Sequence, residues 1–389
     1  MRDARPADKR ESNLELLRII MMVLIVAHHF AYHGGFEYSW QTVSLNRLWI
    51  QLMMIGGKLG VDVFVLISGY FLINADRLKT VRPVRMWFQL LTYSLVPFCL
   101  LAATGQVRFT AERLLHSLLP IAYDGWWFAS AYFILYLFAP FINRFLRAMD
   151  RNEYRRFLLI LMTVWCVIPT FLHVEMQRNN LLWFFCLYCV IGYYRLHHRS
   201  TGRKGSSCIL LALAILLGIF GSAAALDLIG RNNRFIADHA MFFYDYYSLP
   251  VLAAAMLLVT GFIRIRMRRS RLINTISAAM FGVYLIHDNS YLRKLIWEKI
   301  FRTSAYADSS TLIPYSAGVV LLVFIACTAI ELIRIHTLEK SCGGLYALIA
   351  DRADSLTERI LSGRKSSGEA PDADRRGERP EGGTDGDQD

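Results

Sequence analysis

Arg18 and His29 stand with ten residues between them in NLELLRIIMMVLIVAHHFAYHGG, residues 13–35. An arginine is a permanent cation able to grip phosphate or carboxylate, and a neutral imidazole can take a proton from a hydroxyl near neutral pH. Eleven steps of ~100° end about 20° past a whole number of turns, so on a helix the two side chains share a face. The rise between them is about 16 Å, roughly half a bilayer's hydrocarbon thickness. Taken singly, Arg18 reads as a residue that snorkels to headgroups or pairs with Glu15, and His29 as a packed interface histidine. Sharing one face, they make a polar stripe, and polar groups inside a membrane face a bundle interior or a wet cavity. His28 points ~80° away from Arg18, and His33 is a third histidine nearby.

Other polar groups interrupt later apolar runs. GGKLGVDVFVLISGYFLI, residues 56–73, holds Asp62 and Ser68. Asp62 can orient a histidine, neutralise Arg18 or serve a helix start; Ser68 can act in a site or bond to its own helix. His287, Asp288 and Asn289 fall at the outer end of SAAMFGVYLIHDNSYLRKL. Neighbours on a helix diverge by ~100°, so this triplet points to a polar outer cavity more than to a catalytic pair. Trp126 and Trp127 can anchor the chain at an interface or wall a sugar ring. No metal-ligand spacing, phosphate-cradling glycine loop or nucleophile elbow stands out.

The elements that must carry these groups are membrane helices. The chain is 55% hydrophobic with mean hydropathy +0.34, more than a soluble protein of its length needs. Ten apolar runs fit spans at about 14–33, 48–73, 84–104, 126–146, 154–173, 180–195, 208–229, 245–264, 272–291 and 311–334. The first follows a basic segment and lacks a small-residue cleavage site, the pattern of a retained signal anchor. Lys and Arg crowd alternate loops, as with Arg77, Lys79, Arg82 and Arg85 after the second run; Arg293, Lys294, Lys299 and Arg302 break the pattern. By the positive-inside rule both termini are cytoplasmic. The alternation also accounts for the net charge of +12 without nucleic acid.

The predicted organisation is therefore an all-α membrane protein. Residues 1–12 form a cytoplasmic N-terminal segment, 13–340 a transmembrane domain, 341–361 a membrane-proximal segment and 362–389 a disordered polar tail. Cys186 and Cys189 form a C-x-x-C inside a span and read as small packing residues. No internal repeat or matched pair of broken spans favours a secondary transporter.

On these motifs the chain resembles the bacterial membrane-bound acyltransferase-3 family. Arg18 and His29 match that family's first-span Arg-ten residues-His motif, and GVDVFVLISGY over 60–70 matches its second-span signature, with Val65 replacing a Phe. WWFASAYFILYLFAPFIN over 126–143 and FGVYLIHDN over 281–289 are also similar to family segments, so the resemblance covers about residues 10–340. It implies ten helices with both ends cytoplasmic, and O-acyl transfer, commonly acetyl, from acyl-CoA to an envelope or exported carbohydrate. It implies essential roles for Arg18 and His29, and carries over to Asp62 and Ser68.

The expected mechanism follows. Acyl-CoA enters as donor substrate, with no permanently bound cofactor, and its phosphates meet Arg18, Arg82 and Arg85. His29 acts as general base on the acceptor hydroxyl or as an acyl relay. Trp126, Trp127, His287 and Asp288 are candidates for acceptor binding. The expected partners are the bilayer, a carbohydrate or glycolipid and acyl-CoA, in the cell membrane. The competing class is a carrier or flippase of lipid-linked glycans, which needs intramembrane charge and aromatics but no thioester.

Overall fold

Apolar runs of membrane length satisfy their backbone polar groups internally only as helices or closed barrels, and here they are helices. The structure, a computed structural model, describes residues 11–77, 79–174, 176, 179–197 and 204–363, among which there is no strand. The basic segment up to residue 10, the tail from 364, and Arg178, Arg199 and Arg203 of the loops lie outside the described residues.

The helices are α1 (Ser12–His33), α2 (Leu45–Leu72), α3 (Val81–Ala103), α4 (Ala111–Leu118), α5 (Trp127–Ala148), α6 (Arg151–Met162), α7 (Ile168–Leu172), α8 (Asn180–His197), α9 (Gly205–Gly230), α10 (Arg234–Asp238), α11 (Leu249–Arg264), α12 (Arg271–Ala278), α13 (Met280–His287), α14 (Leu312–Arg334) and α15 (Gly343–Gly363). A π-helical stretch, Thr163–Val167, joins α6 to α7 just before Pro169, which has no N–H to offer a regular ladder. Among the described residues, seven helices are long and apolar enough to cross a membrane: α1, α2, α3, α5, the joined Arg151–Leu172, α9, and α14 with its extension to Glu339. Three other predicted runs are also helical but shorter or broken. They are α8, α11 and the run 272–291, which splits at Ala279 into α12 and α13 and ends at His287.

Local chemistry sets the helix starts. Asp150 and Glu153 close a capping box at α6, and the backbone N–H groups of Glu153 and Asn152 hold the Asp150 carboxyl below its usual range. Ser44 caps α2, and within its first turn Arg47 reaches the buried Asp227 of α9 at 2.6 Å, with Gln51 on the other carboxylate oxygen at 2.7 Å. Cys186 and Cys189 are fully buried in the core. Near the C-terminal end of the described residues, α15 packs on α3 through Tyr346 against Phe88 and a Thr80–Asp354 hydrogen bond of 2.5 Å.

α1 lies between two apolar clusters. Leu14, Leu17 and Met21 pack with α2, α5, α8, α9 and α11, whereas Met22, Ile25, Val26 and Phe30 pack with α3, α13 and α14. α2 runs antiparallel against it, Gly56 opposite Leu24, Gly57 opposite His28 and Gly60 opposite Ile25. Small residues let membrane helices approach closely. A Cβ on Gly57 would sit 2.2 Å from His28 Cγ. Gly57→Val is therefore expected to cost about 1–3 kcal/mol by overpacking. A thermal-unfolding midpoint in detergent equal to that of the wild type would contradict the close approach.

Candidate active site

One face of α1, from Glu15 and Arg18 to His29 and His33, and one face of α2, from Gly57 to Ser68, border a cavity of about 880 Å³. That volume lies within the range of small-molecule sites. Arg18, Arg82, Arg85 and Arg334 line it toward one end of the bundle, and His28, His29, His33 and Asp288 toward the other. Trp127, Phe128, Tyr132, Tyr246 and Tyr284 add aromatic surface, with the Trp127 and Tyr246 rings stacked at 5.9 Å.

At the arginine end, Arg18 Nη1 donates to Glu15 Oε1 at 2.9 Å, and the Ser277 hydroxyl donates to the other oxygen of the same buried carboxylate. The carboxylate beside Arg18 is thus Glu15 and not Asp62. On the opposite wall Glu331 accepts from Arg334 Nε and Nη2, each at 2.8 Å, from Gln89 at 2.9 Å and from the Tyr93 hydroxyl at 2.5 Å. Glu339 joins through Arg334 at 2.7 Å and Arg85 at 3.4 Å. Gly282 makes room for this hub, since a Cβ there would lie 2.2 Å from Glu331 Cδ.

At the histidine end, His29 and His33 are one turn apart on the same face. His29 Nδ1 lies 2.8 Å from His287 Nε2, and His33 Nε2 lies 3.1 Å from Asp288 Oδ1. His29 Nε2 is 3.9 Å from the same carboxylate oxygen. The His287–Asp288 pair engages two histidines because the helix stops there. His287 still projects from α13, whereas Asp288 is its C-cap, with φ −101° and ψ 13°. The ligand atoms of His29, His33 and Asp288 lie within 4.8 Å of one another, a donor set that a divalent transition ion could use. His28 turns aside, its Nδ1 donating to the Met54 carbonyl at 2.7 Å.

The expected site residues therefore separate. Arg18, His29, Ser68, Arg82, Arg85, Trp127 and Asp288 border the cavity. Asp62 does not: it lies about 200° round α2 from Gly60, which faces α1, and its Oδ1 accepts from Trp183 Nε1 of α8 at 2.9 Å. Trp126 is buried in the apolar cluster as the N-cap of α5, and His287 is fully buried behind His29. Sequence reasoning missed Glu331, Arg334 and Gln89. Glu331 carried a usable signal, an acid inside the apolar run 311–334.

The fold and the cavity define a multi-pass helical membrane protein with a polar site enclosed among its helices. A model of the acyltransferase-3 family, described as an acyltransferase domain, matches residues 11–332, and the chain belongs to that family. It is an acyltransferase, one that moves acyl groups other than aminoacyl. No curated protein and no solved structure matches it.

Proposed function

We propose that the protein moves an acyl group, by family resemblance acetyl, from acyl-CoA to a hydroxyl of a cell-envelope or exported carbohydrate. It works in the cytoplasmic membrane on a ten-span domain, residues 13–340, with both termini cytoplasmic. The three shorter or broken helical runs make up ten with the seven long helices, and the alternation of basic loops supports the orientation.

The observation that carries the proposal is that Arg18, Arg82 and Arg85 open into the same cavity as His29. The coenzyme's phosphates bind at the arginine end. A guanidinium has five N–H donors, so Arg18 keeps donors for phosphate while Glu15 holds it in place. The thioester extends along the cavity toward His29. His29 takes the proton of the acceptor hydroxyl, the oxygen attacks the thioester carbonyl, and the C–S bond of the tetrahedral intermediate breaks. The thiolate recovers the proton from the imidazolium, so one alcohol and one thioester become one ester and one thiol. Trp127 and Tyr246 offer a stacking wall to a sugar ring.

The test is free-thiol release from acetyl-CoA by purified protein with an envelope-glycan extract. Acceptor-dependent release is expected, and Arg18→Ala is expected to lower it about tenfold or more by removing a charge-assisted contact. A lipid-linked glycan carrier consumes no thioester. Absence of release from any acyl-CoA, together with glycan movement, would replace the transfer reading with the carrier.

A further inference from the structure

His287 is fully buried and lies outside the cavity lining, yet it is in hydrogen-bond contact with the residue we assign as base. A group in that place touches no acceptor sugar. We propose that His287 is a positioning residue that, held by the Val283 carbonyl, fixes the tautomer of His29 and leaves the His29 lone pair at Nε2. The proposal rests on the reading of His29 as general base.

The direction of the chain follows from what each atom can do. His287 Nδ1 lies 2.5 Å from the Val283 carbonyl oxygen. A carbonyl only accepts, so Nδ1 carries the proton. A neutral His287 then has a bare Nε2, which can only accept. The atom facing it at 2.8 Å is His29 Nδ1, which must be the donor. A neutral imidazole carries one N–H, so His29 Nε2 is left with its lone pair. That nitrogen lies 3.9 Å from Asp288 Oδ1, beyond hydrogen-bond range, and His33 Nε2 already donates to this oxygen at 3.1 Å. Asp288 can therefore stabilise an imidazolium formed on His29 without consuming the lone pair beforehand. Without His287, nothing in this chain of contacts selects Nε2 over Nδ1 as the basic nitrogen. The relay joins groups 258 residues apart in sequence, one from α1 and one from the end of α13.

Two variants and one spectrum decide the matter. His287→Leu removes the acceptor; His287→Gln restores one, because its amide oxygen can accept from His29 Nδ1–H. With 15N-labelled histidine in the full-length protein, the wild type is expected to show neutral His29 protonated at Nδ1. The Leu variant is expected to populate the Nε2-protonated form and to lose about ten- to hundredfold in kcat. Its KM for acetyl-CoA should stay within about twofold, since no coenzyme contact is touched. The Gln variant should recover most of the rate. A wild-type spectrum with neutral His29 protonated at Nε2 would overturn the proposal, and that reading stands even if the Leu variant does not fold. So would a folded Leu variant transferring at the wild-type rate while His29→Ala is inactive. Transfer retained in His29→Ala would instead remove the base assignment on which the relay depends.

Discussion

Acyl transfer by His29→Ala is expected to fall about 10²–10⁴-fold, the usual contribution of a positioned general base. The loss should lie in kcat, because in the proposed mechanism the imidazole acts on the hydroxyl proton during attack and not on the coenzyme's phosphates, about 16 Å away along α1. Stability should fall modestly, by about 1–3 kcal/mol, because the buried Nε2 of His287 loses its donor. His29 borders the cavity with its side chain 13% exposed, so its removal enlarges an existing space and opens no hole in the apolar clusters. Thiol release and ester formation measured together, at saturating acetyl-CoA, check this. Undiminished release in a folded variant would exclude His29 as the base and shift attention to His33, one turn on, which shares the Asp288 carboxylate.

The second large effect is expected at Glu331, and it concerns stability. Its carboxylate is 1% exposed and accepts from Arg334, Gln89 and Tyr93 at once. Removing one member of a buried ion pair leaves the other charge without its partner, a loss of about 3–5 kcal/mol. Glu339 still contacts Arg334 in Glu331→Ala, so the cost should fall toward the lower end of that range. The expected result is a marked drop in the detergent unfolding midpoint. Glu331→Gln should lose less, because its amide oxygen still accepts from Arg334. Gly282→Ala should resemble Glu331→Ala, since its Cβ would occupy the carboxylate's place. Unfolding midpoints for all three equal to that of the wild type would show that the hub does not hold α3, α13 and α14 together.

Much of this protein was legible in its residues. The length and apolarity of the runs predicted helices of the membrane kind, and seven among the described residues are long enough to cross. The eleven-residue step from Arg18 to His29 placed both on one face, and both border one cavity. These inferences succeed because the helical period is local: 100° per residue needs no knowledge of what lies opposite. The same period, applied to the ninth run as one unbroken helix, did not show that His287 and Asp288 both engage histidines of α1. The helix is interrupted at Ala279, whose N–H bonds to Ile276 and Ser277, and it ends at His287, so the next residue leaves the helical direction.

What the sequence by itself determined is the set of helices and the face each polar group takes on its own helix. Only the tertiary structure decided the partners across helices: Ser277 for Glu15, Trp183 for Asp62, His287 for His29, and Gln89 and Tyr93 for Glu331. Such choices depend on how closely and at what rotation two helices meet. Here that is governed by contacts between distant segments, with Gly57 admitting His28 and Gly282 admitting Glu331. Periodicity states which way a side chain points, whereas packing decides what it meets there.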